Sequence, residues 1–408
     1  MSTVHRISGT IIFLALSGTA QGAEFEVHPS IAVNEEYTDN VFETRNNRIS
    51  DFITRALPGI ALTYKAPALE GNLSYLFDYR YYARRSRGTD STHVLSANGR
   101  LTAVGNILFL DVTDEYRRVS LDVTRDVVKE SLFLNQSDQN VMTVSPFLVL
   151  RLDPTTTMNT GYRFVDTRYF ESPGIDKTNH VGFAEMTHEF SRKWKLNANY
   201  HYTLEEAQTI EYTRHDASVG SRYEYSDTSF IFGNIGNSWI RYDNSHKLNN
   251  ILWSAGISHT FDTLTASFNT SVTYDEDPLR NITQQTNYRG ELGKRFHNGS
   301  LGLNFAYSEF IITETNTLNT KKYSSGIKTH YEFSRNLTGN LSFLAERYNR
   351  ELLHSYTRRL LSEADITYLT GKDWSVALNY VNADYYSAGI PEDNKQVNRV
   401  SLEIKKRF

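Results

Sequence analysis

The sequence alternates apolar and polar residues over runs of about 12–15 positions, and such runs recur about twenty times between residues 24 and 408. Successive side chains of a β-strand point to opposite faces, so a period of two over these lengths predicts strands and not helices. The stretch 73–81 shows the two sets of alternate positions clearly, with Leu73, Tyr75, Phe77, Tyr79 and Tyr81 in one set and Ser74, Asp78 and Arg80 in the other.

Short and long connections alternate along the chain. Tight polar links such as 191–193 and 262–263 are followed by longer links such as 85–91 and 277–283. Hairpins that repeat about every 38 residues, with short links at one end and longer links at the other, are typical of outer-membrane barrels. The sequence therefore predicts an all-β fold, a single transmembrane antiparallel up-and-down β-barrel of about 20 strands (18–22) with short periplasmic turns and longer extracellular loops. No linker or shift in composition divides residues 23–408, which are predicted to form one domain.

A soluble propeller or a long sandwich would contain a similar number of strands. The runs are longer than soluble strands usually are, whereas a membrane-barrel strand needs about 9–11 residues plus its rims. The chain has no cysteine and a net charge of −4, which excludes disulfides, thiolate metal sites and covalent haem, and gives no sign of nucleic-acid binding. Aromatic residues also lie near the ends of the apolar faces, as interfacial girdles require: Phe170, Phe190, Trp194, Phe261, Phe296, Phe333 and Trp374.

The N-terminal segment 1–22 is predicted to be a secretory signal peptide. Arg6 lies near its start, an apolar run follows at 11–16, and the small residues after it suit signal peptidase, with cleavage after Gly22 or Ala20. The apolar run is too short to span a bilayer, and a polar sequence follows it at once. We therefore expect the chain to leave the cytoplasm.

The C-terminus carries a second targeting feature. The chain ends on Phe408, and the alternate positions Val400, Leu402 and Ile404 before it are apolar. This ending resembles the signal by which outer-membrane barrels are recognised for assembly, so the barrel assembly machinery is an expected partner and Phe408 is the candidate signal residue. Lys406 departs from the pattern because that position is usually apolar, although a lysine at the rim can extend its ammonium group to water.

A block near the N-terminus carries a family resemblance. It consists of Pro29-Ser30-Ile31, Tyr37-Thr38-Asp39-Asn40-Val41-Phe42, Ser50-Asp51-Phe52-Ile53-Thr54-Arg55, Pro58-Gly59-Ile60 and Asp78-Tyr79-Arg80-Tyr81-Tyr82. This block resembles the start of the β-barrel porin 2 family, which is similar to outer-membrane proteins associated with exopolysaccharide and exosortase-type gene clusters. The resemblance implies a barrel in the outer membrane of a Gram-negative bacterium and a part in polysaccharide export.

If the apolar face of each strand points outward, the polar face lines the lumen. Charges of both signs interleave on that face, so no strong ion-selective field is expected. They predict either a wet wall of mutually neutralising charges or a track of hydroxyl, amide and charged groups for a hydrated polymer. Four pairs at i, i+2 spacing are the candidates for the lumen wall: Asp78 with Arg80, Glu115 with Arg117, Arg222 with Glu224, and Arg289 with Glu291.

A barrel of about 20 strands encloses a wide hole unless something narrows it. The segment 120–139 is the one loop that is long enough in sequence to fold inward, although a plain extracellular extension is the favoured interpretation of it. Either this loop or a separate periplasmic or lumen-filling partner protein is expected to occupy the lumen. The acidic runs Glu205-Glu206 and Asp275-Glu276-Asp277 lie near predicted strand ends, where solvated rim charges are expected.

The sequence contains neither GxSxG nor HExxH, and its histidines are scattered, so we predict no enzyme activity, no cofactor and no metal site. Three functions remain open: a channel that takes part in exopolysaccharide export, a general or substrate-selective diffusion porin, and a sheath barrel for a partner such as a multihaem cytochrome conduit. Outer-membrane lipid and lipopolysaccharide are expected partners, polysaccharide is a further candidate, and nucleic acid is not expected.

Overall fold

The protein is a closed antiparallel barrel of 20 strands in a computed structural model, which confirms the predicted fold class and strand number. The structure describes residues 22–122, 136–170, 174–208, 211–244, 246–279, 282–391 and 394–408. The strands are β1 (Glu24–Thr38), β2 (Asp51–Lys65), β3 (Leu69–Tyr82), β4 (Asp90–Val104), β5 (Leu108–Ser120), β6 (Gln136–Asp153), β7 (Thr156–Tyr169), β8 (Lys177–Ser191), β9 (Trp194–Ala207), β10 (Tyr212–Ser226), β11 (Ser229–Tyr242), β12 (Lys247–Phe261), β13 (Leu264–Glu276), β14 (Ile282–Phe296), β15 (Gly299–Ile312), β16 (Thr317–Ser334), β17 (Leu337–Arg350), β18 (Ser355–Thr370), β19 (Trp374–Ala388) and β20 (Lys395–Arg407). A 3₁₀ turn at Glu351–Leu353 lies between β17 and β18. Among the described residues, no helix is long and apolar enough to cross a membrane.

Each strand pairs with the next one along the chain, and β1 closes the barrel against β20 from Ser30↔Arg407 to Thr38↔Arg399. Links that follow even-numbered strands are tight, and both ends of the described chain lie beside them; we call this the turn end. Links that follow odd-numbered strands are generally longer, and we call their side the loop end. The arrangement of short turns opposite longer loops therefore matches the sequence prediction. The predicted signal peptide falls almost wholly on residues 1–21, which lie outside the described part, so it stays a prediction.

Alternate residues of each strand face outward and into the lumen. In β1 the outward set includes Phe25 and Val33, which are 61% and 50% exposed, while the lumenal set includes the buried Asn34 and Glu36. An apolar outer face joined to a polar inner face is the arrangement expected of a barrel that sits in lipid, because the closed hydrogen-bonded ladder satisfies the backbone internally.

The ladder is interrupted between β12 and β13 at the loop end. These strands pair only from Phe261↔Leu264 to Ser254↔Ser271, so residues 247–253 of β12 have no partner in β13. Beyond that point β13 continues with β14 alone, as far as Glu276↔Ile282. The end of the β13–β14 hairpin is therefore free to leave the wall.

This hairpin end folds into the lumen and packs against the inner surface of β10–β12. Tyr274 and Gln284 occupy the alternate positions that face outward nearer the turn end, yet both contact the inner face of the wall. There, Asn250 of β12 donates hydrogen bonds to the Tyr274 hydroxyl (2.9 Å) and to Oε1 of Gln284 (2.8 Å). The hairpin end thus forms a second layer inside the barrel, sealed by a buried cluster of Tyr212, Ile240, Tyr242 and Ile282.

A second interruption separates β4 from β5. Their pairing stops at Leu95↔Tyr116, whereas β5 continues with β6 as far as Ser120↔Gln136. Arg118, at an outward position of β5, has its Nη1 3.7 Å from Oδ2 of Asp90 on the inner face of β4, so this hairpin end also lies inside the wall. The two inward hairpins approach each other, since one pocket of about 390 Å³ is lined by Leu121 and Asp122 together with Asp277 and Leu279.

The expectation that 120–139 alone could fold inward was therefore wrong. The β13–β14 hairpin keeps strand-like alternation to its tip, and that pattern gives no sign that the hairpin leaves the wall. The described ends of the β5–β6 link do lie at the inner layer, while residues 123–135 lie outside the described part.

Candidate functional site: the polar lumen

The lumen is open and hydrophilic in its turn-end half. A cavity of about 840 Å³ lies along β13–β18. Short hydroxyl and amide side chains leave room for water and offer hydrogen bonds of both kinds. Its lining in the turn-end half includes Ser267, Asn269, Asn304 and Ser342, and the cavity extends towards the loop end as far as Lys322 and Glu346.

An amide ladder continues this wall across β9–β12. Nδ2 of Asn197 donates to Oδ1 of Asn234 (2.7 Å), and Nδ2 of Asn234 donates to Oγ of Ser254 (3.0 Å). Asn197 and Asn234 meet across Gly220 of β10, where a Cβ would lie 1.6 Å from Oδ1 of Asn234. Gly220 is therefore needed for the ladder to form.

Charges in the turn-end half neutralise one another while they remain in contact with solvent. Nε of Arg289 lies 2.7 Å from Oε1 of Glu291, and Nε of Arg222 lies 3.2 Å from Oε1 of Glu224. All four side chains are more than two-fifths exposed. Solvated pairs of this kind contribute little to stability and leave little net field in the lumen.

Arg117 departs from the expectation of mutually neutralising pairs. The register places Arg117 and Glu115 on the lumenal face of β5, opposite Gln139 and Val141 of β6, and both side chains are exposed. Within the described part of the chain Arg117 forms no ion pair with Glu115, so the predicted neutralisation was wrong for this pair. Residues at i, i+2 lie about 6.6 Å apart along a strand, and the small gain from a solvated ion pair does not fix two long side chains together. Arg117 is thus an exposed cation of the lumen wall.

The loop-end half of the lumen is packed, and its charges are buried. Asp78 accepts hydrogen bonds from Nη2 of Arg55 (2.7 Å) and Nη2 of Arg80 (2.6 Å). Glu36 lies 3.9 Å from Nη1 of Arg55 and 3.5 Å from Nε of Arg399. Every buried charge in this group therefore has an opposite charge beside it, which burial demands.

A second buried group of charges lies on β16–β18. Oε2 of Glu346 accepts hydrogen bonds from Nη1 of Arg359 (2.6 Å) and the Tyr348 hydroxyl (2.8 Å), and its Oε1 is 3.1 Å from Nζ of Lys322. The side chains of Glu346 and Arg359 are only 4% and 5% exposed. The wall at the loop end is thus fixed by desolvated ion pairs.

The tip of the β13–β14 hairpin is held by β8, five strands along the wall from β13, and by the link before β8. Nζ of Lys177, at the start of β8, donates to the carbonyl oxygen of Asp277 (2.7 Å), and the backbone N–H of Ile175 donates to the carbonyl oxygen of Pro278 (2.9 Å). The Asp277 carboxylate accepts from the Thr283 hydroxyl (2.7 Å), which closes the tip on itself. Lys177 and Asp277 are each 1% exposed.

Solvated rim charges were predicted at two acidic runs, and the structure corrects this for two residues. Asp277 is buried by the inward fold of its hairpin. Glu205 is 2% exposed and accepts a hydrogen bond from the Tyr212 hydroxyl (3.0 Å), because the same hairpin covers β9 and β10. The side chains of Asp275 and Glu276 lie outside the described part.

Asp153 lies at the tight β6–β7 turn, beyond the apolar outer face of the barrel. Hydrogen bonds from the Thr156 hydroxyl, the Thr155 hydroxyl and the Thr155 backbone N–H lower the pKa of its carboxyl to about 2. Within the described part, no group of three or more histidine, aspartate or glutamate side chains is placed to hold a metal ion.

Phe408 lies at the turn end on the outer face, 62% exposed. Its backbone N–H donates to the carbonyl oxygen of Pro29 (2.9 Å), which ties the last residue to β1. Nζ of Lys406 lies 4.4 Å from the Phe408 ring centroid and 5.3 Å from that of Trp374, so the unusual lysine stacks on the aromatic rim. The role of Phe408 in assembly stays a prediction.

Solved structures share this architecture. The FrpB iron transporter from Neisseria meningitidis (F5-1 variant, apoprotein form) is similar at a TM-score of 0.55 and 8% identity, over 93% of this chain and 81% of that one. Its F3-3 variant is similar at a TM-score of 0.53 and 9% identity, over 93% of this chain and 82% of that one. OccK2 (OpdF) of Pseudomonas aeruginosa has a TM-score of 0.47 and 11% identity, over 94% of this chain and 98% of that one.

At these identities the likeness shows the fold alone. No protein-family model matches the chain, and no curated protein matches it. The barrel that the β-barrel porin 2 resemblance implied is present, whereas the particular family stays a resemblance.

Sequence reasoning missed several residues that organise the lumen. Arg55 joins Asp78 only because β2 and β3 pair in the register Arg55↔Arg80, and Glu346 meets Arg359 by direct pairing of β17 with β18. These contacts depend on cross-strand register, which alternation along one strand does not give. The contact of Lys177 with Asp277 likewise joins residues 100 positions apart, and the sequence gives no sign that they meet.

Proposed function

We propose that the protein is an outer-membrane channel that takes part in exporting exopolysaccharide, with the turn end in the periplasm and the loop end outside the cell. The closed barrel, its apolar outer face and the contrast between tight turns and longer loops support this location. Both described chain ends lie at the turn end, as is typical of bacterial barrels with periplasmic turns.

One observation supports a hydrated, weakly charged substrate. Serine and asparagine side chains such as Ser267, Asn269 and Ser342 contribute to the lining of the turn-end half, and the ion pairs there lie within the wall. Hydroxyl and amide groups exchange hydrogen bonds with sugar hydroxyls as they do with water, so a glycan can slide along such a wall without a deep binding minimum. A polymer arriving from the periplasm meets this half first.

The inward hairpins favour a channel whose narrow part is built by the chain itself. Within the described part they occupy the loop-end lumen from opposite sides. A protein partner that threads the whole barrel would have to displace both hairpins, so a sheath role fits less well. A substrate-selective diffusion porin is the second candidate, because a self-made constriction also suits the passage of small solutes.

Flux through proteoliposomes separates the two candidates. The purified barrel is reconstituted, and release of neutral oligosaccharides of graded length is compared with release of anionic oligosaccharides of the same length. For export of a glycan we expect release to fall slowly with chain length and to depend little on charge. A sharp cut-off at short oligosaccharides would instead favour the porin. No release of any solute, even after the inward β13–β14 hairpin end is removed, would overturn the channel role.

A further inference from the structure

The outer face carries a row of aromatic and cationic side chains across six neighbouring strands, from the middle of β14 to near the loop end of β19. Direct pairing joins each member to the next, and the row runs Tyr288, Tyr307, Tyr323, Arg347, Arg358, Tyr386 from β14 to β19. The rings of Tyr288 and Tyr307 are 6.0 Å apart, and those of Tyr307 and Tyr323 are 4.9 Å apart. Because barrel strands are tilted, a directly paired row climbs along the wall, and its members Arg347, Arg358 and Tyr386 lie within three residues of the loop ends of their strands. Aromatic and basic side chains at such positions are typical of the level where a barrel wall meets lipid headgroups.

Arg347 and Arg358 lie directly opposite each other at the centre of this row, and both are exposed. Like charges at directly opposed positions of a sheet repel each other. Arg347 donates from Nε to Oδ1 of Asn349 (2.8 Å), and both guanidinium groups stack on Tyr356, at 4.5 and 5.4 Å from its ring centroid. These contacts hold the two guanidinium groups together at the outer surface.

Nearby carboxylates do not neutralise this pair. Among the described residues neither guanidinium forms an ion pair, because Glu351 binds Lys321 (3.4 Å) and Glu309 accepts a hydrogen bond from Tyr307. By contrast, the exposed Arg168 on β7 lies 2.9 Å from Asp166 and 3.5 Å from Asp176. The outer wall thus offers two adjacent, unneutralised guanidinium groups at one place on the tyrosine row.

We propose that Arg347 and Arg358 bind a phosphate group of lipopolysaccharide in the outer leaflet. Guanidinium groups match phosphate oxygens with paired, charge-assisted hydrogen bonds, and the phosphate removes the repulsion between the two arginines. The exposed Tyr323 and Tyr386 rings on either side pack along the glucosamine and the first acyl carbons. The assignment to the outer leaflet rests on the proposed orientation, which puts the loop end outside the cell.

A second like-charged pair lies on the same face. Arg241 of β11 and Lys247 of β12 are directly opposed and exposed, beside the exposed Trp239. It repeats the pattern of two cations and an aromatic side chain at the loop end, about a third of the way around the barrel. A barrel held by lipopolysaccharide at more than one point would be fixed in height relative to the outer leaflet.

Native mass spectrometry of the full chain, extracted from Gram-negative outer membranes in mild detergent, tests the site. We expect the wild type to retain lipopolysaccharide and the Arg347→Gln/Arg358→Gln double variant to lose at least about tenfold of that occupancy. Arg168→Gln is the matched control, since it removes an exposed arginine whose charge is already neutralised, and it should retain the lipid. Heat-shifted gel migration verifies that each variant is folded.

Three outcomes would overturn the site. Equal lipid retention by wild type and double variant would do so, as would equal binding of lipid A from which the phosphates had been removed. Retention of inorganic phosphate by the extracted wild type in place of the lipid would show a site for free phosphate and not for the lipid. Solute flux is measured on the same preparations. A wild type that retains the lipid but shows no flux counts against the channel. A wild type that shows flux but retains no lipid counts against the lipid site alone.

Discussion

The two halves of the barrel are built from the same 20 strands and the same alternation, yet their lumenal charges lie in different environments. At the turn end Arg289 and Glu291 are 57% and 45% exposed, whereas at the loop end Arg359 and Glu346 are 5% and 4% exposed. The difference lies in what surrounds the charges, because Glu346 and Arg359 pack with Lys322, Tyr348 and Tyr385, whereas Arg289 and Glu291 bind each other in contact with solvent. A charged residue on a lumenal face is therefore a solvated group or a structural one according to what covers it.

The largest expected effect concerns stability. Glu346→Gln removes the buried carboxylate that the buried Arg359 and the half-buried Lys322 both contact, and we expect a loss of about 3–5 kcal/mol in the free energy of unfolding. Glu291→Gln in the turn-end half is the matched change, with an expected loss of about 0–1 kcal/mol. Denaturant unfolding in detergent micelles, followed by intrinsic fluorescence and gel migration, measures both. Equal losses would show that the two halves are equally solvated.

The second prediction removes the inner layer. Replacing residues 274–284 by an Asn-Gly turn joins Thr273 to Gln285, which are directly paired, and takes out the hairpin end that packs on β10–β12. We expect single-channel conductance to rise severalfold because the loop-end lumen loses that layer. Planar-bilayer recordings of both proteins measure the change.

An engineered disulfide gives a reversible form of the same experiment, because the chain contains no cysteine that could pair with the introduced ones. Ile175 and Pro278 are joined by a backbone hydrogen bond, which brings their Cα atoms within reach of a disulfide. Ile175→Cys/Pro278→Cys should show low conductance when oxidised and higher or more variable conductance when reduced. Identical recordings in both states, together with no effect of the excision, would show that the hairpin does not limit flow.

The smallest expected effect lies at the turn end. The pKa of Asp153 is lowered to about 2 in the folded protein by hydrogen bonds from Thr155 and Thr156. These hydrogen bonds therefore stabilise the fold at any pH above the ordinary pKa of an aspartate, and the stabilisation is lost as the pH falls towards 2. Asp153→Asn should therefore unfold slightly more easily than the wild type at neutral pH and equally easily near pH 2. Asp227→Asn in the β10–β11 turn is the control. A difference that persists unchanged in acid would exclude the carboxylate as its cause.

The architecture could be predicted from sequence because it depends on local information. Alternation within a run sets which side chains share a face, and link lengths set which end is which, so the barrel, the strand number and the turn and loop ends follow. Local spacing also placed Arg289 beside Glu291 on one strand. The same spacing failed for Arg117, because a shared face does not decide whether two solvated side chains meet.

The inner layer could not be predicted in the same way. Tyr274 and Gln284 keep the alternation of a wall strand, and only the loss of pairing beyond Ser254↔Ser271 turns their outward face towards the inside of β12. Contacts between residues distant in sequence, such as Lys177 with Asp277, need the three-dimensional register. The sequence therefore predicts the strands of the wall well and the hairpin ends inside the lumen poorly.

The closing pair of strands has a consequence for how the barrel forms. All other pairings join neighbours in sequence, but β1 meets β20 through Ser30↔Arg407 and its neighbouring pairs, nearly the whole chain apart. Hairpins can form between strands that are neighbours in sequence, whereas the seam needs β1 and β20 to be present together. The entropy of closing so long a loop grows only slowly with its length, so the late closure costs little more than a closure between nearer strands would. Until the seam forms, β1 and β20 both present open edges, and these are the edges that must be shielded from other chains.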